Sequence, residues 1–171
     1  MSPQQQVATE LRIERVWEMP NLYTFKMRCV AALLAEEMAG TWAAPFSGKY
    51  SPAQVTNDCD LPAMFNMDGL EFLRSRTDEE FDGVLFDPPY STEQALRFYK
   101  PRHGGTAGRE EYRARCKDDL ARVIRVGGKC ISFGWESNGL GKGRGFEHTR
   151  ILLIAHGACH NDTIVTVETK L

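Results

Sequence analysis

The stretch Gly83-Val84-Leu85-Phe86-Asp87-Pro88-Pro89-Tyr90 joins a buried-strand pattern directly to an acid, two prolines and an aromatic. Val84-Leu85-Phe86 is a short apolar run bounded by Gly83 and the proline pair, so it reads as a central strand of an α/β sheet. Pro88 and Pro89 fix φ and carry no N–H donor, which ends the strand there. Asp87 and Tyr90 are thereby held on a stiff turn at the carboxyl end of a strand, where open α/β sheets place their ligands. A carboxylate and an aromatic face on such a turn suit a planar amine: the acid accepts from its N–H groups while the ring stacks on it.

The elements that position this turn alternate strand and helix. Met27 to Met38 is rich in Ala and Leu at helical spacing, with Gly40 as its stop. Short strands follow at Thr41–Ala44, Gln54–Asp58 and Ala63–Asp68, then a helix from Gly69 to Arg76 with Leu70 and Leu73 inward. After the Gly83–Phe86 strand comes a helix from about Arg109 to Ile124, with Tyr112, Cys116, Leu120 and Ile124 on one stripe and Gly127-Gly128 closing it. Lys129–Phe133 reads as a fifth strand. Ile151–Ala155 and Thr163–Val167 read as a terminal antiparallel pair, separated by Gly157 and Asn161-Asp162. The fold class is therefore α/β, a Rossmann-like doubly wound, mostly parallel sheet with an antiparallel C-terminal strand pair. Residues 1–171 read as one domain, with 1–18 as an N-terminal extension.

The chain of 171 residues suits one domain that buries about two-thirds of its unfolded surface. No apolar run approaches the roughly 18 residues of a membrane span, and Met1–Gln6 has neither a basic start nor an apolar core. Five widely spaced cysteines without a C-x-x-C pair suit reduced packing residues. A cytoplasmic protein without a membrane partner is expected. The charge divides unevenly: residues 1–90 carry 7 basic against 14 acidic residues, residues 91–171 carry 14 against 9. Arg97, Lys100, Arg102 and Arg109 follow the Asp87–Tyr90 turn, and Lys142, Arg144 and Arg150 come later. A polyanion lying over the turn would meet the first group, whereas the same residues also suit solvated loops.

Asp-Pro-Pro-Tyr after a hydrophobic strand resembles the signature of S-adenosylmethionine-dependent amino-methyltransferases, above all those acting on adenine N6 in DNA. In motif order the chain is similar to small phage or plasmid adenine methylases from about Pro20 onward. Ala44-Pro45-Phe46-Ser47-Gly48 resembles the loop that cradles S-adenosyl-L-methionine in that family, although Ala44 replaces an acid and Lys49-Tyr50 stands where a second glycine is usual. The resemblance implies that Asp58 meets the cofactor's ribose, that Asp68 lies near its adenine ring, and that Thr24 and Phe25 close over its methionine end. As residues alone, Asp58 and Asp68 equally suit turn formation and helix capping, and Thr24-Phe25 an ordinary helix start. Phe133 and Trp135, beside the glycine-rich stretch Gly134–Gly143, are candidate walls for an extruded base; core packing is the other reading of Phe133.

The implied chemistry is methyl transfer to an exocyclic amine. Asp87 and the Pro88 carbonyl accept from the amine and favour a tetrahedral nitrogen with a freed lone pair, while Tyr90 stacks on the base. The base must be flipped or single-stranded to be reached. DNA is the expected partner, with Arg97, Lys100, Arg102, Lys142 and Arg144 on its phosphates, the two basic loops flanking one groove over the turn. RNA base and protein-amide methyltransferases use similar turns, and a non-catalytic nucleic-acid-binding relative is the reading from another class. A separate target-recognition domain is not expected, so specificity is short or relaxed, or relies on a homodimer or a specificity partner. His156 and His160 are spaced as a metal pair but read as lying in a turn around Gly157 without a supporting cluster, and no metal is expected.

Overall fold

The computed structural model describes residues 10–91, 93–94, 110–158 and 160–171. Along the chain these form strand β1 (Arg12–Trp17), helix α1 (Arg28–Glu37), β2 (Trp42–Ala44), β3 (Val55–Thr56), α2 (Gly69–Arg74), β4 (Phe81–Phe86), α3 (Glu110–Val123), β5 (Ile124–Gly134), β6 (Phe146–Ala155) and β7 (Thr163–Lys170). Short 3-10 turns stand at Thr24–Lys26 and Lys142–Arg144.

The strands make one seven-stranded sheet in the order β1-β6-β7-β5-β4-β2-β3. All run in one direction except β7, which lies between β5 and β6 and opposes both. The fold is thus the expected Rossmann-like, doubly wound and mostly parallel one. Side-chain alternation explains the two layers. Ala43, Val84, Phe86 and Cys130 face one side, where α2 and α3 pack with Phe72, Leu73, Leu120 and Val123. Trp42, Ala44, Leu85 and Ile131 face the other, where α1 contributes Val30, Leu33 and Leu34. Central strands buried on both faces read as unbroken apolar runs, which is why Val84-Leu85-Phe86 was legible. Gly83 lies opposite Trp42 on the neighbouring strand, and any Cβ there would overlap the indole ring.

Helix α1 starts on a distant cap. Glu18 Oε1 accepts from the Arg28 N–H at 2.7 Å and Oε2 from the Cys29 N–H at 2.9 Å, satisfying two donors that the helix itself leaves open. Burial pushes the Glu18 carboxyl up, yet these bonds hold it below the usual range.

Four expectations need correction. Arg12–Trp17, read as part of an extension, is a sheet strand that pairs in parallel with β6 from Arg12↔Arg150 to Trp17↔Ala155. The strand expected over Ala63–Asp68 shrinks to a single bridge between Asn57 and Phe65. Gly127 and Gly128 do not close a helix: α3 ends at Val123, and the glycines lie within β5 at a register irregularity, where Gly127 takes φ +77°. Arg150, read as a loop cation, lies buried in β6, with Nε 2.6 Å from Glu14 and Nη1 2.7 Å from Glu36 and 3.2 Å from Glu37. Among the described residues, no helix is long and apolar enough to cross a membrane.

Candidate active site

At the end of β4, the chain turns through Asp87-Pro88-Pro89-Tyr90 as the two prolines require. The turn brings Tyr90 back onto its own acid: Tyr90 Oη donates to Asp87 Oδ1 at 2.7 Å. The Thr24 side chain, from the segment before α1, hydrogen-bonds with both. Two further bonds hold Tyr90 through its backbone, its N–H donating to Gln94 Oε1 at 2.8 Å and its carbonyl accepting from Arg113 Nη1 at 3.2 Å. Burial pushes the Asp87 carboxyl above its ordinary range, while the bonds from Tyr90 and Thr24 act the other way. Burial and the neighbouring Asp87 push the Tyr90 phenol well above its ordinary value, so it stays protonated and donates.

Asp87, Pro88, Pro89 and Tyr90 line a cavity of about 580 Å³, a size suited to a cofactor or drug-sized ligand. Its walls come from the ligand-facing end of the sheet: Phe46–Tyr50 after β2, Asp58 after β3, Trp135 after β5, His156 after β6 and Thr163 opening β7. The segment before α1 adds Pro20–Phe25 and Met27. Thr24, Phe25, Phe46, Ser47, Gly48, Asp58 and Asp87 are thus brought together around one cavity. Pro45 is outside the lining; its carbonyl accepts from buried Asn57 Nδ2 at 2.9 Å. Gly48 takes φ +56° with open space around its Cα, so the loop bends where a side chain would be strained.

Asp58 is 2% exposed and already well used. Oδ2 accepts from the Gly48 N–H at 3.0 Å, and Oδ1 from the N–H groups of Asp60 and Leu61 at 3.0 and 2.9 Å. It organises the two loops that form this wall. Asp68 lies outside the cavity lining. It caps α2, with Oδ1 accepting from Leu70 and Glu71 N–H groups and Oδ2 from Tyr112 Oη at 2.8 Å. Of the two readings its residue type allowed, the capping one describes its contacts.

Trp135 lies against Tyr90, edge to face at 5.6 Å between centroids. Phe133 is 4% exposed, contacts Phe25 at 5.6 Å, and lines a second cavity of about 210 Å³ that shares Pro88, Tyr90 and Trp135 with the first. Lys142 and Arg144 do not flank the turn. The chain from β5 to β6 must travel from the carboxyl end of one parallel strand to the amino end of the next, and the 3-10 turn lies at that far end, just before Phe146. Arg144 Nε pairs there with Asp118 at 2.7 Å. Arg97, Lys100, Arg102 and Arg109 lie outside the described residues.

Sequence reasoning missed Tyr23, Tyr50, His156, His160 and Asn161 in the lining. The missing signal was topological: β6 runs parallel to its sheet, so the turn after it falls on the ligand side. His156 is held at both ring nitrogens, Nδ1 2.6 Å from the Glu18 carbonyl oxygen and Nε2 2.8 Å from Thr163 Oγ1.

No protein-family model and no curated protein matches the chain. Among solved structures it is similar to yhhF of Escherichia coli, a proposed methyltransferase, with 12% identity over 84% of this chain and 85% of that one and a TM-score of 0.51. The chain shares that structure's fold. Two other structures share less of it. TTHA0409 of Thermus thermophilus, a proposed DNA modification methylase, matches at 15% identity and TM-score 0.41, over 59% of this chain and about half of its own length, 51%. The N-methyltransferase NodS of Bradyrhizobium japonicum WM9 matches at 10% identity and TM-score 0.46, over 80% and 89% of the two chains.

Proposed function

We propose that this chain transfers a methyl group from S-adenosyl-L-methionine to the exocyclic N6 amine of adenine in DNA. One observation carries the reading: Asp87 and Tyr90, locked together on a proline-stiffened turn, line the same large cavity as the Phe46-Ser47-Gly48 loop. The cavity's volume and its walls, which include Thr24, Phe25 and the Gly48 bend, suit the cofactor. Bound S-adenosylmethionine supplies an electrophilic methyl group.

The protein's part is to present the amine. Asp87 accepts from Tyr90 Oη at Oδ1 and also from the Thr24 side chain, but a carboxylate has capacity for further donors and takes an N–H of the amine. The Pro88 carbonyl takes the other. Accepting both protons' bonds draws the nitrogen toward a tetrahedral geometry and frees its lone pair, an assistance that grows toward the transition state. Once the methyl group is transferred, the excess amine proton leaves by way of Asp87. Tyr90 and Trp135 supply aromatic surface for the extruded base.

The deciding experiment is transfer of labelled methyl to DNA, RNA and free nucleosides in parallel, followed by identification of the modified base. N6-methyladenine in DNA is the expected product. Label in RNA or free nucleosides alone would reassign the substrate, and no transfer with intact cofactor binding would leave a non-catalytic binder.

A further inference from the structure

The cavity mouth collects exposed aromatic surface. Among the described residues, four aromatic side chains stand with the exposed large hydrophobic ones: Trp17, Tyr23, Tyr50 and Trp135. All but Trp17 line the larger cavity. Tyr23 precedes α1 and Tyr50 follows the Gly48 loop, so two separate segments were brought together to place these rings edge to face, 4.8 Å between centroids and 81° between planes. They are 37% and 38% exposed, which is unusual for a packed aromatic pair and leaves ring surface open.

Two cations attend the same ring. Lys26 Nζ lies 4.4 Å and Lys49 Nζ 5.3 Å from the Tyr50 centroid. Both lysines are exposed, and Lys26 lies outside the cavity lining. The lining carries the carboxylates Asp58, Asp60 and Asp87 against one lysine, Lys49, which stands with Lys26 at the exposed Tyr50 ring. Lys49-Tyr50 also occupies the place where the cofactor loop departs from its usual glycine.

Partly exposed aromatic rings with two ammonium groups over one of them suit a single nucleic-acid strand: a base stacks on the exposed ring surface and a phosphate meets a cation. We propose that Tyr23, Tyr50, Lys26 and Lys49 form a docking platform for a single nucleic-acid strand, holding a nucleotide that flanks the target base. Only the position of that target base rests on the methyltransferase reading. The platform takes the place in phosphate binding that Lys142 and Arg144, at the far end of the sheet, cannot fill.

The test is fluorescence anisotropy with a labelled, mixed-sequence oligodeoxynucleotide, as single strand and as duplex, over a salt series with S-adenosylhomocysteine present. The single strand should bind more tightly than its duplex. A Lys26→Ala, Lys49→Ala protein should flatten the log–log salt slope by about 1.4, two contacts at about 0.7 each for a single strand. Tyr50→Leu should weaken strand binding roughly 5- to 150-fold, the equivalent of ~1–3 kcal/mol per stacked base. A cooperative thermal melt like that of the wild-type protein, followed by circular dichroism, should report that each variant is folded. The platform is overturned by an unchanged slope in the lysine variant, by tighter binding of duplex than strand, or by unweakened strand binding in the folded Tyr50→Leu protein. Strand binding that responds to these variants without any methyl transfer would keep the platform and remove the catalytic reading.

Discussion

Tyr90 Oη donates a 2.7 Å hydrogen bond to Asp87 Oδ1, so the aromatic residue of the turn orients the acid of the same turn. From the sequence, Tyr90 had only its ring to offer, as a stacking surface. The intervening prolines bend the chain enough for the residue three places on to reach back. The carboxylate is thereby held by Tyr90 and by the Thr24 side chain, with lone pairs left to accept from a ligand.

Tyr90→Phe should therefore cost more than a stacking argument allows. The hydroxyl helps hold down the Asp87 carboxyl, which burial pushes up, so removing it lets that pKa rise further. An Asp87 that must be ionised to accept from the amine then loses function at a higher pH than before. The acid limb of the kcat/KM profile should move upward, and kcat should fall about 10-fold or more, in line with ~1.5–3 kcal/mol for a hydrogen bond to a charged group. Superimposable pH profiles for the two enzymes would show that only the ring matters.

Asp87→Asn should separate catalysis from stability. Transfer should drop by at least about 100-fold, since the group that takes the amine proton is gone, while cofactor affinity stays within a few-fold. Burial raises the folded-state pKa of Asp87 above its unfolded value. For such an acid the ionised form is disfavoured in the fold, so its contribution to stability falls as pH rises from the unfolded pKa toward the folded one. Asp87→Asn should accordingly have a Tm equal to or above wild type at neutral pH, with the difference closing in acid. Calorimetric melts at several pH values test this, and a markedly lower Tm at neutral pH would contradict it.

The two strand-end acids should behave differently. Asp68→Ala removes the α2 cap and the Tyr112 hydroxyl's acceptor, so it should destabilise by about 1–2 kcal/mol in urea denaturation. Cofactor affinity should be untouched, because Asp68 does not line the cavity. Asp58→Ala frees the Gly48 loop from its tie to the Asp60-Leu61 turn and should weaken S-adenosylhomocysteine binding by roughly 10-fold in calorimetry. Equal cofactor losses in both variants would show that the distinction is wrong.

Arg150 is 7% exposed and answers Glu14, Glu36 and Glu37 at once. Arg150→Ala should cost about 3 kcal/mol, because removing one partner strands charges that folding has partly desolvated. Burial pushes the Glu37 carboxyl up, but bonds from Lys129 and Arg150 bring it below the ordinary range. Stability from such a depressed carboxyl is present above its unfolded pKa and lost as pH falls through the folded one. The gap between wild type and variant in urea midpoint should therefore narrow on acidification. A gap that stays constant with pH would assign the loss to packing.

What the sequence determined by itself is local chemistry written in adjacent residues. Val84-Leu85-Phe86 ends at Pro88-Pro89 because a buried run has one continuation and prolines forbid another, and that places Asp87 and Tyr90 at the strand end without any knowledge of the partners. The α1 helix was legible for the same reason, whereas the Phe46-Ser47-Gly48 loop stood out only by its resemblance to a family motif. Tertiary structure decided whatever depends on strand order and direction. β7 enters between β5 and β6, so the connection to β6 carries Lys142 and Arg144 to the far end of the sheet while the turn after β6 brings His156 to the cavity. Arg12–Trp17 shows little as a strand on its own because its Glu14 is answered by Arg150, 136 residues away. Asp68 and Asp58 look alike in sequence, and only the backbone donors that surround each one tell a helix cap from a cavity wall.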